Sequence, residues 1–289
     1  MHVRAASLNH HDLFTLRGTA TLPENLPIVL GSDAAGVTDD GREVICHTVV
    51  PNPGVEEFDE TDLFGSMSIL SEIHDGTHAE QVVVPERNLI DKPAGLSFAE
   101  AACLPTAWLT AYRMLFFKAD IGPGARVLVQ GAGGGVSTAA IMLARAAGCI
   151  VYVTSRDAAK RERALAIGAA ATFEPGVRLP ERVDAVMDSV GSATFDHSLK
   201  SLRAGGTVVV AGATTGSDPS AQLSRVFAKQ LRIIGSSSGT REEHRRLSRM
   251  LVTTGLRPVI SEEFPLRDGR DAYQRMLDGE QFGKIVLVN

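Results

Sequence analysis

Apolar positions in residues 1–94 fall in short runs, 27–30, 43–45 and 79–84, with Gly31, Gly36, Gly41, Pro51, Pro53 and Gly54 between them. That pattern predicts short strands joined by long loops. The opening Val3-Arg4-Ala5-Ala6 reads as the middle of a strand. Residues 52–77, rich in Asp, Glu and Gly, predict an exposed loop that ends in the turn His74-Asp75-Gly76-Thr77. From Ser97 the period changes. Ser97 with Glu100 three positions later is a capping box, and it predicts a long apolar helix to about Lys118. After Gly122-Pro123-Gly124, strand and helix patterns alternate. Strands are expected at 126–130, 150–154, 185–187, 207–211 and 231–235, and helices at 137–147, 157–167, 194–202 and 221–230. Such alternation predicts an α/β fold with a parallel, doubly wound sheet. The tail predicts an amphipathic helix at 242–254, an extended segment at 259–264, a short helix near 271–277 and a last strand at 284–288.

A chain of 289 residues that is 44% hydrophobic can bury one large core or two modest ones. Lys and Arg number 29 against 34 Asp and Glu, a net charge of −5, which excludes the usual basic nucleic-acid-binding protein. Apolar stretches such as 127–129 and 208–211 are too short to span a bilayer, so no membrane partner is expected. Cys46, Cys103 and Cys149 are few and odd in number. They imply no disulfide framework, and with no signal-peptide pattern at the start a reducing cytoplasm is expected.

The strongest local signal is the strand 126–130 running into Gly131-Ala132-Gly133-Gly134-Gly135-Val136-Ser137 and then into a helix. Small residues here permit a tight turn and close approach to a pyrophosphate. Free N–H groups and the dipole of the helix N-terminus, at Gly134, Gly135 and Val136, favour negative charge. As a spaced fingerprint the positions are Ala132, Gly134 and Ser137, with Ser in place of the last glycine. About 20 residues on, an acid would grip the ribose of NAD. The strand ends there in Thr154-Ser155-Arg156, and Lys160 and Arg161 follow. That composition suits a 2′-phosphate, so NADPH is expected over NADH. Asp157 as a ribose partner, or Arg156 and Lys160 as ordinary solvated charges, are the alternatives.

The ordered segments Ala6-Ser7-Leu8-Asn9-His10-His11-Asp12, Gly31-Ser32-Asp33-Ala34-Ala35-Gly36, Gly76-Thr77-His78-Ala79-Glu80, the glycine loop, Asp188-Ser189-Val190-Gly191 and Phe282-Gly283-Lys284 resemble the medium-chain dehydrogenase/reductase superfamily. The likeness is to its quinone-oxidoreductase-like branch and covers nearly the whole chain. It implies a discontinuous GroES-like, β-rich catalytic domain at 1–94 and 240–289, a Rossmann domain at 95–239, and an active-site cleft between them. Family chains begin with further strands, so the catalytic domain is expected to be N-terminally truncated. Members form dimers or tetramers. A homodimer is expected here, with 231–235 pairing across a two-fold axis.

Zinc-dependent members need Cys, His and Cys or Asp ligands. The resemblance puts Asn9, Ser32 and Thr106 at those positions, and three cysteines cannot form a four-cysteine structural site, so no bound metal is expected. His10 and His11, if in a strand, would face opposite ways and supply at most one ligand. Without zinc, hydride transfer from NADPH to a quinone or an α,β-unsaturated carbonyl remains open, as a small-molecule electrophile. The resemblance makes Asn9 the candidate catalytic amide and Asp12 its orienting acid. A related Tyr is replaced by Phe14, so His10, His11 or water is left as the proton source. For the cofactor the resemblance and the strand ends suggest Thr110, Gly134, Gly135, Val136, Thr154, Ser155, Arg156, Lys160, Ser189, Val190, Gly212, Ala213, Ser236, Phe282, Gly283 and Lys284. Lys284 is read as a phosphate contact or a solvated lysine. The alternatives are an alcohol dehydrogenase-like medium-chain oxidoreductase and a non-catalytic, dinucleotide-binding redox sensor.

Overall fold

In a computed structural model, which describes residues 1–56, 60 and 65–289, the chain divides into two units. One comprises Met1–Leu109 with Ser238–Asn289, the other Thr110–Ser237. In chain order the elements are β1 (His2–Ser7), α1 (His10–Leu16), β2 (Asp33–Val37), β3 (Glu43–Cys46), β4 (Val49–Pro51), β5 (Met67–Ile69) and β6 (Leu89–Asp91). Next come α2 (Phe98–Ala102), a π-helical stretch Leu104–Trp108, α3 (Leu109–Tyr112) and a second π stretch Arg113–Lys118. Then follow β7 (Arg126–Gln130), α4 (Gly135–Ala146), β8 (Ile150–Thr154), α5 (Ala158–Ala166), β9 (Ala171–Phe173), β10 (Val183–Asp188), α6 (Phe195–Ser201) and β11 (Leu202–Val210). The chain ends with α7 (Leu223–Lys229), β12 (Arg232–Gly235), α8 (Arg241–Thr254), β13 (Ile260–Pro265), α9 (Gly269–Asp278) and β14 (Lys284–Val288).

The first unit is built on a six-stranded sheet in the order β13-β14-β1-β2-β3-β6, with β4 and β5 as a separate antiparallel pair. β14 pairs antiparallel with β1, Ala6 opposite Leu287. β2 pairs with the other side of β1, Ala6 opposite Ala34, so the opening strand lies inside the sheet. Apolar residues of β1, β2 and β3 form one core with Val50 and Leu70. Leu8 and Leu13 pack with Ala272, Met276, Ile285 and Leu287 in another. The unit boundary lies at Leu109, not at the expected 94/95. The reason is α2, whose buried Ala101 and Ala102 let it pack on β1 and β2.

The second unit is a parallel sheet in the order β12-β11-β10-β7-β8-β9, the doubly wound order. Its core joins Leu128, Val186 and Val208 of the strands to Phe195, Leu199 and Leu202. Among the described residues no helix is long and apolar enough to cross a membrane.

Four local expectations are corrected. Residues 27–30 form no strand, because their backbone groups bond a turn instead: Gly76 N donates to Val29 O at 2.8 Å and His78 N to Leu30 O at 2.8 Å. The run 79–84 contributes a single bridge, His2 opposite Gln81. In 52–77, β5 is a strand, and Met67, Leu70 and Ser71 are buried rather than exposed. Part of that stretch, 57–59 and 61–64, lies outside the described residues. His10 and His11 also open a helix and not a strand, so the opposite-face argument does not apply to them.

Candidate active site

β1 ends at Ser7, and the chain turns through Leu8 into Asn9, whose extended backbone (φ −130°) caps α1. The Asp12 carboxylate accepts from the Asn9 backbone N–H at 2.7 Å, the acidic half of a capping box. This fixes Asn9 above β2, where its side chain enters a buried polar cluster. Its Nδ2 donates to Asp33 Oδ2 at 2.9 Å and to Ser32 Oγ at 3.2 Å, and its Oδ1 accepts from Lys284 Nζ at 2.6 Å. Lys284 also donates to Leu8 O at 2.6 Å and lies 3.3 Å from Asp33 Oδ2. Asp33 accepts from Ser7 Oγ at 2.8 Å, and its backbone oxygen accepts from Thr77 Oγ1 at 2.8 Å.

The chain of donors runs outward. Ser32 Oγ lies 3.3 Å from Thr106 Oγ1, and Thr106 is half-buried where Asn9 and Ser32 are buried. Thus Asn9, Ser32 and Thr106, the three positions the family resemblance gives to zinc, form one hydrogen-bonded row. An amide and two hydroxyls do not fit tetrahedral zinc, which takes thiolate, imidazole or carboxylate. Among the described residues no group of three or more His, Cys, Asp or Glu is placed to hold a metal ion.

Charge in the cluster is set by burial. Asp12 is fully buried, and desolvation pushes its carboxyl up to about 7; nearby Asp33 adds to the rise, while the Asn9 N–H, Lys284 and the Tyr273 hydroxyl oppose it. Burial drives His78 down to about 4. The Tyr273 hydroxyl lies 2.9 Å from His78 Nδ1, and burial, then the Asp12 charge, holds it protonated far above the usual phenol range. His11 is lowered, chiefly by burial, so it is no imidazolium at neutral pH, whereas His10 is exposed.

In the second unit Gly131 adopts φ +82°, a left-handed conformation that a side chain would strain. Gly134 precedes α4 with no side-chain cap, and a Cβ there would meet nothing within 4 Å. The first N–H groups of α4, at Gly135 and Val136, receive no side-chain cap and form a cradle that fits a dinucleotide pyrophosphate. The adjoining strand ends are tied together: Thr215 N donates to Val190 O at 2.8 Å and Ala211 N to Asp188 O at 3.0 Å, and a Cβ on Gly212 would come within 3.0 Å of Ser189 O. Ser236 Oγ is buried with no hydrogen-bond partner among the described residues. Thr154 Oγ1 donates to Gln130 Oε1 at 2.5 Å, and Ser155 Oγ accepts from Asp157 N at 3.2 Å. Asp157 also caps α5, its Oδ1 accepting from the Ala159 and Lys160 N–H groups. Arg156 stands exposed beside the start of α5, with Lys160 half-buried.

The structure thus gathers Gly134, Gly135, Val136, Thr154, Ser155, Arg156, Lys160, Ser189, Val190, Gly212, Ala213 and Ser236 in one unit, with Thr110 as its first residue. Asn9, Asp12, Phe282, Gly283 and Lys284 belong to the other. Lys284 is corrected on one point: it is 3% exposed, so it is no solvated lysine, and its ammonium is held by Leu8, Asn9 and Asp33. Sequence reasoning missed Asp33, His78 and Tyr273 as members of this cluster. The first two lay in quoted motifs without an assigned role, and Tyr273 gave no signal beyond its place in a short amphipathic helix.

Two family models match the chain: an alcohol dehydrogenase GroES-like domain over residues 1–94 and a zinc-binding dehydrogenase domain over 135–253. A zinc-type alcohol dehydrogenase-like protein of Schizosaccharomyces pombe is 32% identical, covering 99% of this chain and 89% of that protein. The quinone oxidoreductase of Rattus norvegicus is 28% identical over 99% of this chain and 87% of its own length. The crystal structure of an NAD-dependent alcohol dehydrogenase superposes with a TM-score of 0.92 at 34% identity, covering 100% of this chain and 90% of that one.

Proposed function

Because the chain belongs to the medium-chain dehydrogenase/reductase superfamily and is an NAD(P)-dependent oxidoreductase of it, we propose that it reduces a polarised double bond, a quinone or an α,β-unsaturated carbonyl, with NADPH and without zinc. The observation that carries this reading is the row Asn9–Ser32–Thr106. Where zinc would polarise an alcohol or a carbonyl, the chain has neutral donors already bonded to one another. Alcohol oxidation loses its Lewis acid there, whereas an acceptor that is electrophilic by itself needs only positioning and a hydrogen bond.

Bound NADPH supplies the hydride. This chain's own residues do the rest. Both functional ends of the Asn9 amide are engaged with Asp33, Ser32 and Lys284, so Asn9 positions rather than touches the acceptor. Held by that chain, the half-buried Thr106 hydroxyl donates to the oxygen on which charge develops. Asp12 keeps Asn9 in place through the helix cap. The proton that completes the reduction comes from water.

Arg156 favours NADPH over NADH: a guanidinium there forms charge-assisted hydrogen bonds to a 2′-phosphate, and Lys160 lies one helical turn on. A homodimer is supported by the second sheet, where β12 is an edge strand carrying half-exposed Ile233, next in sequence to α7 with its exposed Leu223 and Phe227. The metal claim is tested by elemental analysis of protein purified without chelator. The reading expects zinc far below one per chain, and stoichiometric zinc overturns it and restores alcohol dehydrogenation.

A further inference from the structure

Apart from the glycine loop, the Thr110–Ser237 unit contains a cavity of about 280 Å³. That is near the low end of the roughly 300–1,000 Å³ usual for small-molecule sites. Its walls are the segment between β9 and β10, which brings Arg178, Leu179, Glu181 and Arg182, the end of α6 with Lys200 and Ser201, and Arg225 of α7. Four cations therefore surround it against one acid, in a chain whose net charge is −5.

The acid does not neutralise them, because Glu181 is paired with Arg126, which is no part of the lining. Lys200 is matched by Asp196 at 2.7 Å. Arg225 Nε donates to the neutral amide oxygen of Gln222 at 2.8 Å. Among the described residues Arg178 and Arg182 have no ion-pair or hydrogen-bond partner. Guanidinium groups gathered around one concavity repel one another, and a bound anion removes that repulsion.

The floor is ordered in advance. Leu179 is buried and apolar, and the buried His197 ring is fixed on both sides, Nδ1 3.1 Å from Gln130 Nε2 and Nε2 2.8 Å from Val177 O. Ser201 Oγ lies 3.3 Å from the same Nε2. Arg178, Arg182 and Arg225 together offer more donors than one carboxylate can accept, which suits the several oxygens of a phosphate or pyrophosphate group.

We propose that this cavity is a binding site for a small phosphate-bearing metabolite, taken up through its phosphate monoester or pyrophosphate group by Arg178, Arg182 and Arg225, and separate from the glycine loop. The inference is independent of the redox reading, since no residue of the cavity belongs to the proposed catalytic row or to the cradle.

The test is calorimetric titration of inorganic pyrophosphate, at constant ionic strength, into the full chain and three variants. Arg178→Ala/Arg182→Ala should weaken binding on the order of a hundredfold, and Arg225→Gln about tenfold, one charge-assisted contact being about a factor of ten or more. Gly134→Asp places a carboxylate in the dinucleotide cradle, in space that is open for it, and should leave this binding intact. Succinate, a dicarboxylate with fewer acceptor oxygens and lower charge, should bind more weakly. The proposal is overturned if pyrophosphate shows no saturable binding. It is overturned equally if the arginine variants bind as the native chain does, if Gly134→Asp alone abolishes binding, or if succinate binds as tightly.

Discussion

Removing the Thr106 hydroxyl while keeping its shape, in Thr106→Val, isolates what the end of the Asn9–Ser32–Thr106 row gives to the reaction. A hydrogen bond to a charged oxygen contributes about 1.5–3 kcal/mol, so kcat/KM should fall about ten- to a hundredfold with the melting temperature little changed. Unchanged kcat/KM would remove Thr106 from the mechanism. Arg156→Ala should erase most of a preference for NADPH of about ten- to a hundredfold, by the same arithmetic, and leave NADH binding nearly as it was. Equal native affinities for the two cofactors, or a variant that loses both alike, would show that another group reads the phosphate. Asn9, Ser32 and Thr106 were legible because each sits in a short, ordered motif. Lys284 was not, because sequence cannot report that a lysine of an edge-adjacent strand turns inward to an aspartate, here 3.3 Å away and fully buried. Tyr273 was hidden for a similar reason: its neighbours His78 and Asp12 are 195 and 261 residues away along the chain (273 − 78 and 273 − 12).

The capping box was readable in four letters, and the structure realises it: Glu100 N donates to Ser97 Oγ at 3.1 Å, and Ser97 N donates to the Glu100 carboxylate at 2.7 Å. Ser97→Ala should cost about 1 kcal/mol in urea unfolding. Elements closed by turn bonding were harder to read, and 27–30 looked like a strand only because its partner is a turn 46 or more residues on. His47, just after β3, meets His244 of α8, two fully buried rings with centroids 5.8 Å apart. Burial, followed for His47 by Arg241 and for His244 by His47, holds both near 3, and burial holds His78 near 4. Below the ordinary value of 6.5 the unfolded chain takes up these protons and the folded chain does not, so stability falls as the pH drops from 6.5 toward 4. Asp12, raised from 3.8 to about 7, acts oppositely, since its folded form keeps a proton over that window that the unfolded chain releases. Three histidines against one carboxyl leave a net loss with acid. His244→Leu removes one of them without orphaning a partner, and should flatten the dependence of unfolding free energy by about 1.4 kcal/mol per pH unit. An unchanged slope in denaturation measured at pH 5 and 6 would refute the assignment.

The alternation of strand and helix from 126 to 235 made the parallel sheet legible, because a βαβ crossover leaves the same period at every repeat. The first unit was legible only through its motifs, since short strands of an antiparallel sheet pair across long gaps, as Ala6 does with both Ala34 and Leu287. Two copies joined along β12 should give about twice 30.7 kDa in light scattering at micromolar concentration, and Ile233→Lys should shift it toward one copy. A native mass of one chain would contradict the dimer. Hydride transfer to an electrophilic acceptor without metal is tested by following NADPH oxidation by chelator-treated protein with a quinone and an enone, beside an aldehyde. The quinone or the enone should turn over at a rate that treatment does not reduce, and the aldehyde negligibly. Aldehyde reduction that disappears on chelation and returns with stoichiometric zinc would contradict it.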